Sequence, residues 1–386
     1  MRRLRSLSTR RLLAIVAGVV ALAATAAVAQ AALTGESKPH PKPLDRAILD
    51  AANAAPVDGL TARISFTNAL LPSGALPNGS ASPLVTGAKG RLWIARDGRF
   101  RLELQSDRGD AQVAFASRML TVYDVSAKTV YRMALPAERS VHPGNRRPAT
   151  LADVDRALEE LARAWTLSRA RPTSTAGRPT YTVRIAPKDD GGLLGAGELA
   201  WDATHGVPLR AAVYAQGDTE NPVLELEATD VSYGAVSDSD LSITVPSGVK
   251  AVEVAPPAGA AGAEHDVGGA AAVQKQLPFK LAAPTRLAGL PRQEIRLVRF
   301  DDDQGALVVY GKGLGRIAVL ERKAGAGSML TPEELQLPKI NIDGATGTEL
   351  ATALGTVVTF ERGGVQYTVV GSVPPAAAEN AARGLR

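Results

Sequence analysis

The sequence predicts an α+β fold: one large curved antiparallel β-sheet covered by a few helices, followed by a smaller α+β unit. Three observations predict it. The stretch Gly90–Leu135 reads as strand after strand joined by short turns. Its best segment alternates Phe100, Leu102 and Leu104 with Arg99, Arg101, Glu103 and Gln105, the period of two that gives a strand one apolar and one wet face. Third, helical periodicity is confined to a few segments and never alternates with strands as a parallel sheet requires.

The elements follow in order. Leu44–Ala55 places Leu44, Ile48, Ala51 and Ala52 on one helical face and stops at Pro56. Leu60–Ala69 is a strand by alternation, and Leu70–Leu84 is a loop rich in Pro, Gly, Ser and Asn, either a binding mouth or a surface insertion. Arg91–Ala95 leads into Arg96-Asp97-Gly98, whose Asp-Gly pair suits a tight hairpin. Gln112–Ala116, Met119–Val125 and Thr129–Leu135 complete the meander. Thr150-Leu151-Ala152-Asp153 fits a capping box with Asp in place of Glu, and Leu151, Val154, Leu158, Leu161 and Trp165 form an apolar helical stripe with the meander's apolar face as its expected partner. Strands resume at Thr180–Ala186, Gly197–Trp201, Pro208–Ala215, Val223–Ala228 and Asp230–Tyr233. After the low-complexity run 255–276, a linker by composition, come Glu294–Phe300, Ala306–Tyr310, Gly315–Glu321, Lys339–Ile342, Thr356–Glu361 and Val365–Val370, then a final helix, Pro374–Leu385. The expected organisation is a leader 1–31, a linker 32–43, a large unit 44–254, the linker 255–276 and a small unit 277–386.

The 386 residues carry a formal charge of +5, but the charge is misplaced for nucleic-acid binding. Residues 1–31 contain five arginines and no acid; taking those five from the 44 basic residues leaves 39, equal to the 39 acidic ones. A neutral body has no electrostatic footprint for nucleic acid. The basic start, the apolar run Leu12–Ala29 and Ala29-Gln30-Ala31 together read as a secretory signal with cleavage near Ala31. The alternative is an uncleaved N-terminal helix, since about 18 apolar residues are enough to span a bilayer. Either way the protein is expected in the periplasm or cell envelope, facing the outer side of the cytoplasmic membrane.

Catalytic constellations are not legible. There is no Cys, and the four His (His40, His142, His205, His265) lie far apart in expected loops, each read as solvated. Gly191–Gly197 carries no Lys-Ser/Thr and opens a strand, so it is not a phosphate loop, and Gly311–Gly315 reads as a hairpin turn. No catalytic residue, metal or cofactor is assigned, and the expectation is a binding protein rather than an enzyme. What remains is an apolar concave face incompletely covered by helices, suited to an acyl chain. Face parity nominates Phe66, Phe100, Leu102, Leu104 and Phe115 from the sheet and Leu158 and Trp165 from the helix as its lining.

Residues 44–233 resemble the LolA-like fold of periplasmic lipoprotein carriers, in the order of elements and in Gly90-Arg91-Leu92-Trp93-Ile94 and Phe100-Arg101-Leu102-Glu103. Leu199–Arg210 looks like the segment W-x-D-x-x-x-G-x-P-L of that superfamily and of the sigma-factor regulators RseB/MucB, departing from it in that Trp201 directly precedes Asp202. Tyr367–Pro374 followed by a helix is similar to the end of the RseB/MucB C-terminal domain. The resemblance implies a half-barrel beside a small domain, with two possible roles: a carrier or sensor of acyl lipid or lipoprotein, or a regulator that binds a single-span membrane anti-sigma factor in an envelope stress response. It assigns no individual contact residue.

Overall fold

The computed structural model describes residues 38–71, 82–107, 109–135, 148–188, 191–254, 267–300, 303–325 and 337–386. The signal segment, the low-complexity run as far as residue 266, and His142 and His265 lie outside them. The fold is α+β: two mainly antiparallel sheets with short helices on their faces.

The chain enters through helix α1 (Leu44–Ala52) and strand β1 (Gly59–Asn68). A four-residue helix, α2 (Pro83–Thr86), precedes the meander β2 (Ala88–Ala95), β3 (Phe100–Ser106), β4 (Gly109–Ala116), β5 (Met119–Asp124) and β6 (Thr129–Ala134). Helix α3 (Leu151–Ala162) follows, then β7 (Trp165–Leu167), β8 (Arg171–Thr175), β9 (Arg178–Pro187), β10 (Leu194–Asp202), β11 (Pro208–Ala215) and β12 (Leu224–Tyr233). A short helix α4 (Asp238–Leu241) leads to β13 (Lys250–Glu253). The sheet runs β13-β6-β5-β4-β3-β2-β1-β12-β11-β10-β9-β7, with β8 also on β9. The central β1–β12 pair joins the meander to the second half of the sheet.

The second sheet is made by β14 (Arg286–Leu287), β15 (Leu290–Phe300), β16 (Asp303–Tyr310), β17 (Ile317–Lys323), β18 (Lys339–Ile342), β19 (Ala345–Thr352), β20 (Gly355–Arg362) and β21 (Val365–Gly371), in the order β14-β15-β16-β17-β21-β20-β19-β18. Helix α5 (Ala270–Gln274), before β14, and helix α6 (Pro375–Arg383), after β21, bury Val273, Ala378, Ala381 and Ala382 in the core of this sheet. The stretch 255–276, linker-like by composition, therefore ends in a helix that belongs to the second core.

The structure departs from the sequence reading in specific places. The two segments 223–228 and 230–233 are one strand, β12, with an extra residue at Thr229: Arg63 faces Asp230 while Ile64 faces Ala228. Because the bulge lies in β12, the alternation of β1 survives it. Not every neighbour is antiparallel: β13 joins β6 in parallel. The capping box of α3 forms as expected, with Thr150 Oγ accepting from the Asp153 N–H and Asp153 Oδ2 from the Thr150 N–H at 3.1 Å. The helix ends at Ala162, however. Trp165-Thr166-Leu167, aromatic and β-branched at two of its positions, pairs instead with Pro187, Ala186 and Ile185 of β9.

Candidate functional site

Directly opposed residues of an antiparallel ladder share a face, so the register assigns the two sides of the meander. One row runs Leu60–Ile94–Phe100–Phe115–Leu120–Met133 and the next Ala62–Leu92–Leu102–Val113–Val122–Tyr131. A third runs Ile64–Gly90–Leu104–Ala111. Across β1 the same face continues through Leu226 and Ala228 of β12, Ala211 of β11, Leu199 of β10 and Val183 of β9. Its first two rows are apolar from β1 to β6, while the third ends on Asp124 of β5 and Thr129 of β6, and we call this the inner face.

The opposite, outer face is closed or polar. Over the meander, Arg99 donates to Asp238 at 2.7 Å and Arg101 to the Asp240 carbonyl at 3.4 Å, which holds α4 against β2 and β3. From α4 the chain crosses to pair β13 with β6, and Ala114, Tyr123 and Val130 of this face are buried. Over β9–β12 the outer face is an ion network. Arg210 reaches Glu198 at 2.9 Å and Glu225 at 2.7 Å, and Arg184 and Arg171 also reach Glu198. Burial pushes the Glu198 carboxyl up, but hydrogen bonds from Arg210, Arg184 and Tyr214 outweigh it and hold the group below the usual range.

The inner face is covered unevenly. Helix α1 lies on β9 and β10, packing Ala47 against Tyr181, Val183 and Trp201. Helix α3 packs on α1 and β7. This corrects the expectation that the α3 stripe covers the meander. Leu158 is half-buried on α3, and Trp165 belongs to edge strand β7, so neither joins the sheet residues named with them. Helix α2 covers β1, β3 and β4, with Leu84 in the cluster that holds Leu104 and Phe66. Leu104 is 1% exposed, so it is sealed core.

Beyond α2 the inner face opens. Phe100 and Phe115, their rings stacked at 6.0 Å, are only half-buried, as are Leu92, Leu102, Val113, Leu120 and Val122. On β6 and just after it the exposure is greatest, at 40% for Tyr131 and 39% for Leu135. Where β1 and β2 meet β11 and β12, a cavity of about 130 Å³ is walled by Leu60, Ile64, Ile94, Leu209 and Leu226. That is close to the ~150 Å³ of an apolar cavity known to take up benzene, and well below the roughly 300–1,000 Å³ of a pocket that engulfs a ligand. The cavity is thus the size of a small apolar group, and through Leu92 and Ile94 it adjoins the half-exposed rows. Its β11 and β12 wall escaped the sequence reading, because β1–β12 pairing is a contact between distant segments.

The W-x-D-like segment forms a turn built around a buried carboxylate. Asp202, 1% exposed, accepts the N–H groups of Thr204 (2.8 Å) and His205 (2.9 Å) on Oδ1 and the Tyr233 hydroxyl (2.8 Å) on Oδ2. His205, expected in solvent, is buried with its ring 4.2 Å from that of Tyr233. Burial, with the Asp202 charge beside it, pushes the Tyr233 phenol far up. Among the described residues no group of three or more His, Asp or Glu is placed to hold a metal ion.

No protein-family model matches the sequence, and no curated protein matches it. In fold the chain is similar to MucB-type and LolA-superfamily structures. The structure of MucB in complex with periplasmic MucA is matched at 18% identity and a TM-score of 0.41, over 89% of this chain and 96% of MucB; a MucA/MucB complex from Pseudomonas aeruginosa matches equally. A LolA superfamily protein from Nitrosomonas europaea is matched at 11% identity and a TM-score of 0.22, over 52% of this chain and 98% of its own.

Proposed function

We propose that the protein is an exported, non-catalytic carrier or sensor of acyl lipid or lipoprotein, and that the guest lies on the inner face of the meander. One observation carries the reading. The sheet's outer face is polar or carries α4 against β2 and β3, while its inner face keeps two continuous apolar rows half-exposed from β2 to β6. At ~4.8 Å between strands, five strands span about 19 Å, a length suited to a long acyl chain. A contiguous apolar surface left open on this scale marks a binding site.

The energetics select long chains. Micromolar binding requires about 8 kcal/mol, association itself costs at least about 4 kcal/mol, and each methylene contributes about 0.8 kcal/mol. The balance is reached near 15 methylenes. Native mass spectrometry of protein purified from the cell envelope is therefore expected to show one copurified acyl lipid per chain. A dansylated fatty acid series should tighten about fourfold per added methylene. Unliganded protein that also leaves the probe's fluorescence unchanged would contradict the reading.

A second reading is a regulator holding a single-span membrane anti-sigma factor. The second sheet favours it: hydrogen bonds join it to the β9–β10 turn and to the end of β1, an attachment that a simple carrier does not need. Crosslinking the full-length protein in its own membranes distinguishes the two, since the regulator gives a single-span protein adduct and the carrier does not.

A further inference from the structure

The two sheets meet at one corner. The turn Ala353-Leu354 between β19 and β20 lies beside Ser372, whose hydroxyl donates to the Leu354 carbonyl at 2.8 Å. From the first sheet, the Leu193 N–H donates to the Ser372 carbonyl (3.1 Å) and to its Oγ (3.0 Å). The approach is so close that a Cβ on Gly192 would stand 2.1 Å from the Ser372 carbonyl oxygen, and Gly192 itself has φ +61°. Both conditions call for glycine, which accounts for part of the glycine-rich run 191–197. The second contact is the Ala353 N–H on the Leu70 carbonyl at 2.8 Å.

Leu70 is also tied to the cover of the groove. Its N–H donates to Asn68 Oδ1 at 3.1 Å, and Asn68 Nδ2 donates to the Leu84 carbonyl of α2 at 2.8 Å. A chain of hydrogen bonds therefore runs from the second sheet through Leu70 and Asn68 to the helix that packs over Leu104. Helix α2 is a single turn, an element held by such contacts rather than by its own propensity.

We propose that this corner is a two-point latch, and that an apolar guest lifting α2 changes the position of the second sheet through Asn68 and Leu70. The coupling rests on the proposed guest; the latch does not. It is tested on the full chain, which has no cysteine, with spin labels on Gln105→Cys and Glu361→Cys, at exposed positions of the two sheets. The expected result is one narrow inter-label distance, lost to a broad distribution in Gly192→Val and partly lost in the milder Ser372→Ala, with far-UV circular dichroism unchanged. Saturation with 16-(dansylamino)hexadecanoic acid should shift the distance in the parent, and Asn68→Ala should still bind the probe without the shift. Unchanged width in both latch variants overturns the latch. Probe fluorescence that saturates while the parent distance stays fixed overturns the coupling. If the probe never binds, the proposed guest fails and the coupling with it, while the width comparison still decides the latch.

Discussion

Asp202→Ala is expected to cost about 3–5 kcal/mol of stability, because it leaves several buried donors unpaired at once. The Asp202 carboxylate satisfies two backbone N–H groups of its own turn and the hydroxyl of Tyr233. Those partners come from the β10–β11 turn and from β12, so a single side chain ties three strands at the end of the sheet. Asp202→Asn keeps the acceptor of both backbone N–H groups when its amide oxygen takes the place of Oδ1, and should cost about 1–2 kcal/mol, since Tyr233 loses its carboxylate acceptor and meets an amide N–H donor instead. Urea unfolding of the three proteins measures the difference. A shift in Asp202→Ala no larger than that of an exposed substitution would show that the turn is held by its backbone alone.

Glu321→Gln is expected to stabilise the second sheet at neutral pH. Glu321 is 0% exposed among Val319, Tyr367 and other core side chains of β16, β17 and β21, and its carboxylate accepts the Ala282 N–H at 2.9 Å. Burial pushes its carboxyl from an ordinary 4.5 up to about 7, against the smaller opposing effect of the Ala282 hydrogen bond. The folded state therefore holds the proton more tightly than the unfolded chain. Between pH 4.5 and 7 it binds more protons, so stability falls as pH rises through that window and is level above it. A displacement of this size corresponds to about 3 kcal/mol by pH 8. The melting temperature of the wild-type second sheet should drop by about 10 °C between pH 5 and pH 8. Glu321→Gln should melt higher at pH 8 and lose most of the dependence. A variant with the wild-type pH profile would assign the dependence to another group.

Much of this fold was legible because it is written locally. Alternation from Arg91 to Leu135 and the Asp-Gly turn at Asp97-Gly98 specify the meander, and Thr150 with Asp153 specifies where α3 starts. Phe66, Phe100, Leu102, Leu104 and Phe115 fall on one face because no bulge interrupts β1 or β3. What was not legible depends on distant pairing. Strand β13 is four residues long and parallel, and nothing in Lys250–Glu253 announces that it will lie beside β6. Strand β8 contains Pro172 and pairs only with β9. The burial of His205 requires Tyr233, which lies 28 positions later. Above all, parity gives two faces but not which one stays open. That is decided by residues 234–253 crossing the outer side and by α1 and α3 gathering over β7, β9 and β10.

The most direct measurement is titration of 16-(dansylamino)hexadecanoic acid into wild-type protein, Phe115→Asp and Gln112→Asp. Phe115 lies on the open inner row and Gln112 on the opposite face of the same strand. An apolar guest on the inner face predicts saturable binding to the wild type and to Gln112→Asp, and at least a tenfold loss in Phe115→Asp from burying a charge against the chain. Equal affinity for all three, or a loss confined to Gln112→Asp, would place the guest elsewhere and contradict the account.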